Sequence, residues 1–307
     1  MEGTLIKTFE TSSGRIASVL FSPDGKHIAS GSPDGTIKLW NIKTGEYFSL
    51  ISEGNDWVVY TPDGYFDASP HGGELVAMVK GLTGYGIDQF AVRNNRPDLI
   101  LERMGLGTPE VISHYNMLYQ KRLKKLGLTE TDLSAELHVP ETQITGAKQD
   151  GKFVDISFSL SDTKYPLKKL NIYVNDVPLF GSSGKEISGK SFKGTEKIEL
   201  TAGKNKIELS AMNKTGAESF RALTYADYDG KEKGALYYLA FGASKYKDST
   251  INLNYADKDV KDLEAVLSKM RPAYSDIHIK TFLNNEVTPE NIKKAKDFLK
   301  DSQTDDT

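Results

Sequence analysis

Apolar positions change rhythm several times along the chain, and each rhythm predicts a different kind of element. Ile16 to Phe21, His27 to Ser30 and Thr36 to Trp40 alternate apolar and polar side chains, the two-residue period of half-buried strands. Ser22-Pro23-Asp24-Gly25 and Ser32-Pro33-Asp34-Gly35 separate them. In such tetrads the proline fixes φ and the glycine accepts a positive one, which makes tight turns. A degenerate echo runs from Asp56 to Asp67, with Thr61-Pro62-Asp63-Gly64 standing for the earlier turn.

The pattern then lengthens. Helices are predicted over 74–80 and 114–128, the second placing Tyr115, Leu118, Leu123 and Leu126 among Lys121, Arg122, Lys124 and Lys125. A basic run of this kind serves as a binding patch or, more commonly, as the solvated face of a connecting helix. The segment 72–137 is therefore read as a linker with helices.

Strict alternation returns over 138–228. Val154 to Leu160, Leu170 to Val174, Val177 to Phe180, Glu196 to Leu200, Lys206 to Ala211 and Ser219 to Tyr225 are all predicted strands. Ala202-Gly203-Lys204-Asn205 is expected to close a hairpin. Short strands at this spacing argue for an immunoglobulin-like β-sandwich. No titratable cluster there suggests chemistry, so the region reads as scaffold.

A polar boundary at 228–234 precedes Ala235 to Phe241, an almost continuous apolar run that suits a central parallel strand covered on both faces. Gly242 ends it. Ala256, Val260, Leu263, Leu267 and Met270 then recur at helical spacing. Asp276 to Leu283 forms a second strand, and Thr288-Pro289-Glu290 supplies an N-cap, a proline at the first helical position and an early acid. The order β-α-β-α is that of the first half of an open α/β sheet. Gly242-Ala243-Ser244-Lys245-Tyr246 lacks the glycine spacing that brings backbone N–H groups onto a phosphate, so a nucleotide is not expected.

Composition narrows the function classes. In 307 residues, 39 Lys and Arg stand against 42 Asp and Glu, a net charge of −3 that gives no electrostatic case for nucleic acid or an anionic membrane. No apolar run approaches the roughly 20 residues that span a bilayer. The chain is read as cytoplasmic, with protein or peptide partners. It has no cysteine, which excludes disulfides and thiolate metal sites. The histidines, His27, His71, His114, His138 and His278, show no metal-ligand spacing and read as surface or half-buried residues. No cofactor and no metal are expected.

Two resemblances follow from these motifs. Gly14 to Glu46, with its turns and Leu39-Trp40-Asn41, resembles a WD-repeat blade. Ser13-Gly14-Arg15 stands where that family has Gly-His, so its buried Asp-His-Ser-Trp network is incomplete, with Asp34 and Trp40 left to take their parts. One blade does not make a propeller, which closes with typically 4–8. Residues 1–71 are accordingly expected to be the last blades of a partial β-propeller whose other blades lie upstream.

Leu239-Ala240-Phe241-Gly242, Ser244-Lys245-Tyr246 and Leu253-Asn254-Tyr255-Ala256-Asp257-Lys258-Asp259-Val260 resemble the opening of the caspase-like, metacaspase-type cysteine peptidases. The resemblance covers residues 234–307. It implies a parent endopeptidase in which a thiolate attacks the scissile carbonyl and a histidine manages the proton. Both groups lie further along the family's domain, the histidine in a strand end reading Ser-Gly-His-Gly and the cysteine in a later one reading Asp-x-Cys. The chain itself is therefore expected to have no catalytic residue and to be inactive. Asp259 matches the aspartate that holds a basic substrate side chain. Asp257 and Asp259 equally suit the first turn of a helix, where negative charge is favourable.

The fold expected is thus multidomain and mostly β with a C-terminal α/β unit: partial propeller, sandwich, and half of a caspase-like sheet. The alternative function is a complete, non-enzymatic WD-repeat interaction protein with a degenerate peptidase-like domain.

Overall fold

The computed structural model describes residues 4–10, 15–230, 233–303 and 306–307. The Ser13-Gly14 start of the repeat, Lys231 and Glu232 of the predicted boundary, and Thr304 and Asp305 lie outside the described residues. The chain is mostly β, in several sheets of which none is closed. It divides into two units: 1–145, 157–194 and 208–223 form one, and 146–156, 195–207 and 224–307 the other.

The first sheet is an antiparallel meander of β1 (Ser18–Phe21), β2 (His27–Gly31), β3 (Ile37–Asn41), β4 (Tyr47–Glu53), β5 (Asp56–Tyr60) and β6 (Phe66–Ala68), paired in that order. Its turns follow the sequence closely. Gly25, Gly35 and Gly64 all take positive φ and donate back to Ser22, Ser32 and Thr61. Asp56 to Asp67, expected within a further blade, instead supplies β5 and β6 to the same sheet. The cause is local: Gly54-Asn55 is a two-residue loop with Gly54 at φ +61°, so Glu53 pairs directly with Asp56.

Trp40 is buried between Phe9, at 5.5 Å, and Tyr47, at 4.3 Å. Its Nε1–H donates to Ser30 Oγ at 3.1 Å. Asp34 does not join it as anticipated. The Asp34 carboxylate is exposed and accepts from the N–H and hydroxyl of Thr36, bonds that hold its pKa below the usual value. Thr36, two residues on in the chain, supplies both of these donors.

Residues 74–80 do not form the predicted helix. A 3-10 turn at Gly72–Leu75 leads into β7 (Ala77–Lys80), which forms a hairpin with β8 (Thr83–Gly86). Gly81, at φ +63°, reverses the chain there. Three helices follow: α1 (Ala91–Asn94), α2 (Pro97–Met104) and α3 (Pro109–Leu126). Prolines at the first turns of α2 and α3, and left-handed Gly105 and Gly127 at their ends, delimit the two longer ones. Within this segment Arg96 makes a two-armed bond to Asp98, both side chains buried. Tyr119 and Leu123 of α3 pack with Leu128 and with Met212 of the following β region.

His27 corrects the expectation that the histidines are surface or half-buried. It is buried in β2, and its Nε2–H donates to the carbonyl of Met104 at 2.6 Å. Asn41, in the Trp-Asp position of the repeat, donates to the carbonyl of Arg103 at 3.3 Å. Helix ends leave their last carbonyls without intrahelical partners. Two side chains of the first sheet thus satisfy the end of α2.

Residues 141–228 form two further sheets. One has β9 (Glu141–Asp150), β10 (Phe153–Ser161) and, after the short pieces below, β14 (Ser191–Glu199), in the order β14-β10-β9. The other runs β12-β11-β15-β16, with β13 also paired to β11. Its members are β11 (Leu167–Val174), β12 (Val177–Pro178), β13 (Lys185–Glu186), β15 (Gly203–Asn213) and β16 (Ala222–Tyr228). Alternate positions of β10, Val154, Ile156, Phe158 and Leu160, are buried, as the period-two pattern requires. The segment between β14 and β15 is not a hairpin: the two strands belong to different sheets. Asn205 is fully buried and explains the crossing. Its side chain accepts from Thr201 N–H and Oγ1–H and donates to the carbonyls of Thr201 and Gly203.

The last elements are β17 (Leu236–Gly242), α4 (Ala256–Leu267), β18 (Ile277–Leu283) and α5 (Pro289–Ala295). β17 and β18 pair in parallel, Leu236 opposite Ile277 and Gly242 opposite Leu283. Of the predicted apolar face of α4, Val260 is buried while Leu263 and Met270 remain exposed. A two-stranded sheet, its strands about 4.8 Å apart, is too narrow to cover a whole helix face.

Candidate functional site

The C-terminal ends of β17 and β18 are where an open α/β unit presents ligand-binding loops. Gly242 makes the close approach there possible. A Cβ at this position would stand 2.5 Å from the Ala256 carbonyl oxygen and 2.8 Å from Val260 Cγ2. The chain then turns through Ser244, which is buried.

Ser244, Asp257 and Asn284 form one network. Ser244 Oγ–H donates to Asp257 Oδ1 at 2.5 Å, and the Asp257 N–H donates back to Ser244 Oγ at 3.0 Å. Asn284 Nδ2 donates to Asp257 Oδ2 at 3.2 Å, while its Oδ1 accepts from the N–H groups of Ser244 and Lys245 at 2.9 and 3.1 Å. Asn284 adopts φ +50°, the left-handed region that asparagine tolerates. The Ser244 and Asn284 bonds hold the Asp257 carboxyl below its ordinary pKa.

Asp259 lies two residues on in the first turn of α4 and is exposed. Its N–H donates to the Tyr255 carbonyl at 2.7 Å. The two aspartates that the sequence placed together therefore differ in what they do. Asp257 fixes the loop to the helix, and Asp259 presents its carboxylate to solvent. Tyr246 and Tyr255 are exposed on the same loop-to-helix segment. Sequence reasoning missed Ser244 and Asn284 as a pair, because they are 40 positions apart and meet only through the strand register.

A second polar network escaped the sequence too. Buried Asp162 accepts from His138 Nε2–H at 2.8 Å, Asn213 Nδ2 at 2.9 Å, and the N–H groups of Lys164 and Tyr165. Burial opposes its charged form, but the bonds from Asn213, the Tyr165 N–H and His138 outweigh it and lower its pKa. A cleft of about 660 Å³ opens beside it, with Tyr85, Thr142, Ser159 and Phe220 among its walls. With four donors on one carboxylate, Asp162 is a structural anchor; the signal for it would have been a buried acid at a strand end, which spacing alone does not reveal.

Residues 3–41 match the family described as WD domain, G-beta repeat. The chain is similar to eukaryotic translation initiation factor 3 subunit I of Aspergillus oryzae, 31% identical over 83 residues, covering 27% of this chain and 23% of that protein. The same subunit of Neosartorya fischeri matches at 31% over 83 residues with the same coverage. The chain thus spans less than a quarter of the length of the curated relatives it matches. Among solved structures, the fibronectin(III)-like modules of CbhA from Clostridium thermocellum share 15% identity over 29% of this chain and 96% of theirs, with a TM-score of 0.24, a likeness too slight to carry an argument. No helix is long and apolar enough to cross a membrane among the described residues. A WD repeat therefore occupies the N-terminal end of the chain, and it suggests a role in protein interaction.

Proposed function

We propose that the chain couples a WD-repeat docking region, through an immunoglobulin-like spacer over 138–228, to the first half of a caspase-like cysteine peptidase domain over 234–307. The observation that supports this most is the parallel pairing of β17 with β18 across α4, with Asp259 exposed at the C-terminal edge of the strands. A second feature agrees with it. Thr307 N–H donates to the Ala235 carbonyl and Tyr237 N–H donates to the Thr307 carbonyl, the bonding of a residue laid parallel on the free side of β17. That is where a further parallel strand of such a sheet would lie.

In this reading Asp259 pairs with an Arg or Lys side chain ahead of the cleaved bond. Ser244, Asp257 and Asn284 hold the loop and helix that carry it. With no cysteine in the chain, the nucleophile would come from another segment. The gene read across both ends of this stretch tests the proposal. A frame running past Thr307 into Ser-Gly-His-Gly and a later cysteine supports it, and a stop codon there overturns it. In the protein carrying both halves, Asp259→Asn should lower kcat/KM for Arg and Lys peptides about tenfold or more while leaving folding unchanged; an unchanged kcat/KM would remove the role of Asp259.

The WD repeat favours a second reading, a non-enzymatic interaction protein whose α/β unit serves only for binding. The same gene-level result separates the two.

A further inference from the structure

The basic run of α3 does not behave as a uniformly solvated face. Leu118, Lys121, Arg122, Lys125 and Leu126 follow the spacing of one helix face, and all five line a cavity of about 430 Å³. Its remaining walls include Val92, Met212, Asn171, Tyr173 and Ser182. That volume lies within the range of small-molecule sites.

The charges of this wall are uncompensated. Among the described residues, neither Lys121, Arg122 nor Lys125 has a carboxylate within ion-pair distance, whereas Lys164, Lys169 and Lys294 each pair with a glutamate. Arg122 is fixed by Asn95, donating to its side-chain oxygen at 3.0 Å and its carbonyl at 2.7 Å. Its Nε–H is buried without a partner, and burial pushes its pKa down. A half-buried guanidinium answered by neutral amides and by the Tyr119 ring 5.4 Å away, with no carboxylate, retains its attraction for an anion. The one acid on the cavity wall, Glu218, is already engaged by Ser210 and Asn171. Three cations and one carboxylate leave this wall with a net positive charge. Nor does the end of α3 need these lysines, because Lys168 Nζ already donates to the Gly127 carbonyl at 2.8 Å.

We propose that this cavity binds a small amphipathic anion, its carboxylate or phosphate head held by Lys121, Arg122 and Lys125 and its hydrocarbon body laid on Leu118, Leu126 and Met212. Arg122 supplies a fixed charge, and the two exposed lysines close over the head. The apolar floor explains why a bare inorganic ion is not the preferred ligand: each methylene of a hydrocarbon body laid on it adds to the affinity.

The test titrates sodium octanoate, octyl phosphate and octan-1-ol separately into the 307-residue chain. Binding is followed by calorimetry and by backbone amide shifts. Either anion should bind and move the amides of 118–126, with octan-1-ol at least tenfold weaker. Affinity should fall with added salt. The double variant Lys121→Gln/Lys125→Gln, which alters only exposed side chains, should lose about tenfold in affinity with an unchanged melting temperature. Tighter binding of octyl phosphate than of octanoate would assign the head to phosphate, and the reverse to carboxylate. Equal binding of octan-1-ol, anion binding that leaves α3 unmoved, or indifference to the double variant would overturn the proposal. So would saturable binding at α3 of an acidic Glu-Leu peptide when neither amphiphile binds, since that would assign the surface to a protein partner.

Discussion

Ser244 and Asp257 hydrogen-bond one another twice, hydroxyl to carboxylate at 2.5 Å and backbone N–H to hydroxyl at 3.0 Å. The residue before α4, Tyr255, offers no side-chain cap. Ser244 therefore caps the helix from a distant loop, satisfying a first-turn N–H that its own flanking residue leaves open. Ser244→Ala should destabilise the C-terminal unit by about 1 kcal/mol, the usual loss of a capping hydroxyl. Hydrogen exchange at the amides of the first turn of α4 would rise in step; unchanged exchange would contradict the capping role.

Gly242→Ala should be worse. The added methyl meets the Ala256 carbonyl oxygen, which is backbone and cannot swing aside. Overpacking of this kind costs about 1–3 kcal/mol. Limited proteolysis of the full chain should then cut within 243–255 faster than in the parent, with the first sheet unaffected.

His27→Ala leaves the Met104 carbonyl without its buried donor. An unsatisfied buried acceptor costs about 1–3 kcal/mol. Urea denaturation should show that loss. A His27→Gln variant, whose amide can still donate, should recover part of it.

Acid should unfold the protein through specific carboxylates. Asp98 is opposed by burial but held below its ordinary value by Arg96 and Asn116, Asp162 is lowered by its four donors, and Asp257 by Ser244 and Asn284. For each, the folded pKa lies below the unfolded one. The stabilisation is then complete above the ordinary aspartate value of 3.8 and is lost as pH falls through the lower folded values. Stability should be flat on the neutral side and drop below about pH 4. Asp162→Asn should flatten that acid slope, and an unaltered slope would dismiss Asp162 as a contributor.

Much of this was readable beforehand, and the failures have a common cause. The Pro-Asp-Gly turns, the strands of 154–174 and the caps at Thr288 and Pro289 depend on neighbours in the chain, so local pattern suffices. Thr288 Oγ1 indeed accepts from Asn291 N–H at 3.1 Å. The 74–80 stretch misled because its apolar residues fit either period, and Gly81 decided for a hairpin. His27 reads as a turn-side residue and Asn41 only as part of the repeat's Trp-Asp position, because their partners, the last carbonyls of α2, arrive more than 60 positions later. Asp162 follows β10 and Asn213 ends β15, strands of different sheets, so packing rather than chain proximity joins them to His138, and no spacing in the sequence announces them.

The burial of Trp40 also has a spectroscopic consequence. The chain has two tryptophans, both in the first sheet: Trp40 at 4% exposure beneath Phe9 and Tyr47, and Trp57 at 37%. Their emission should therefore be a composite, a blue-shifted component from the enclosed indole and a redder one from the open indole. Collapse of the two into a single red band would mark the opening of that sheet alone. Every residue after 57 is silent at these wavelengths, so the melting of β17, α4 and β18 would pass unseen unless tyrosine or an introduced indole reported it.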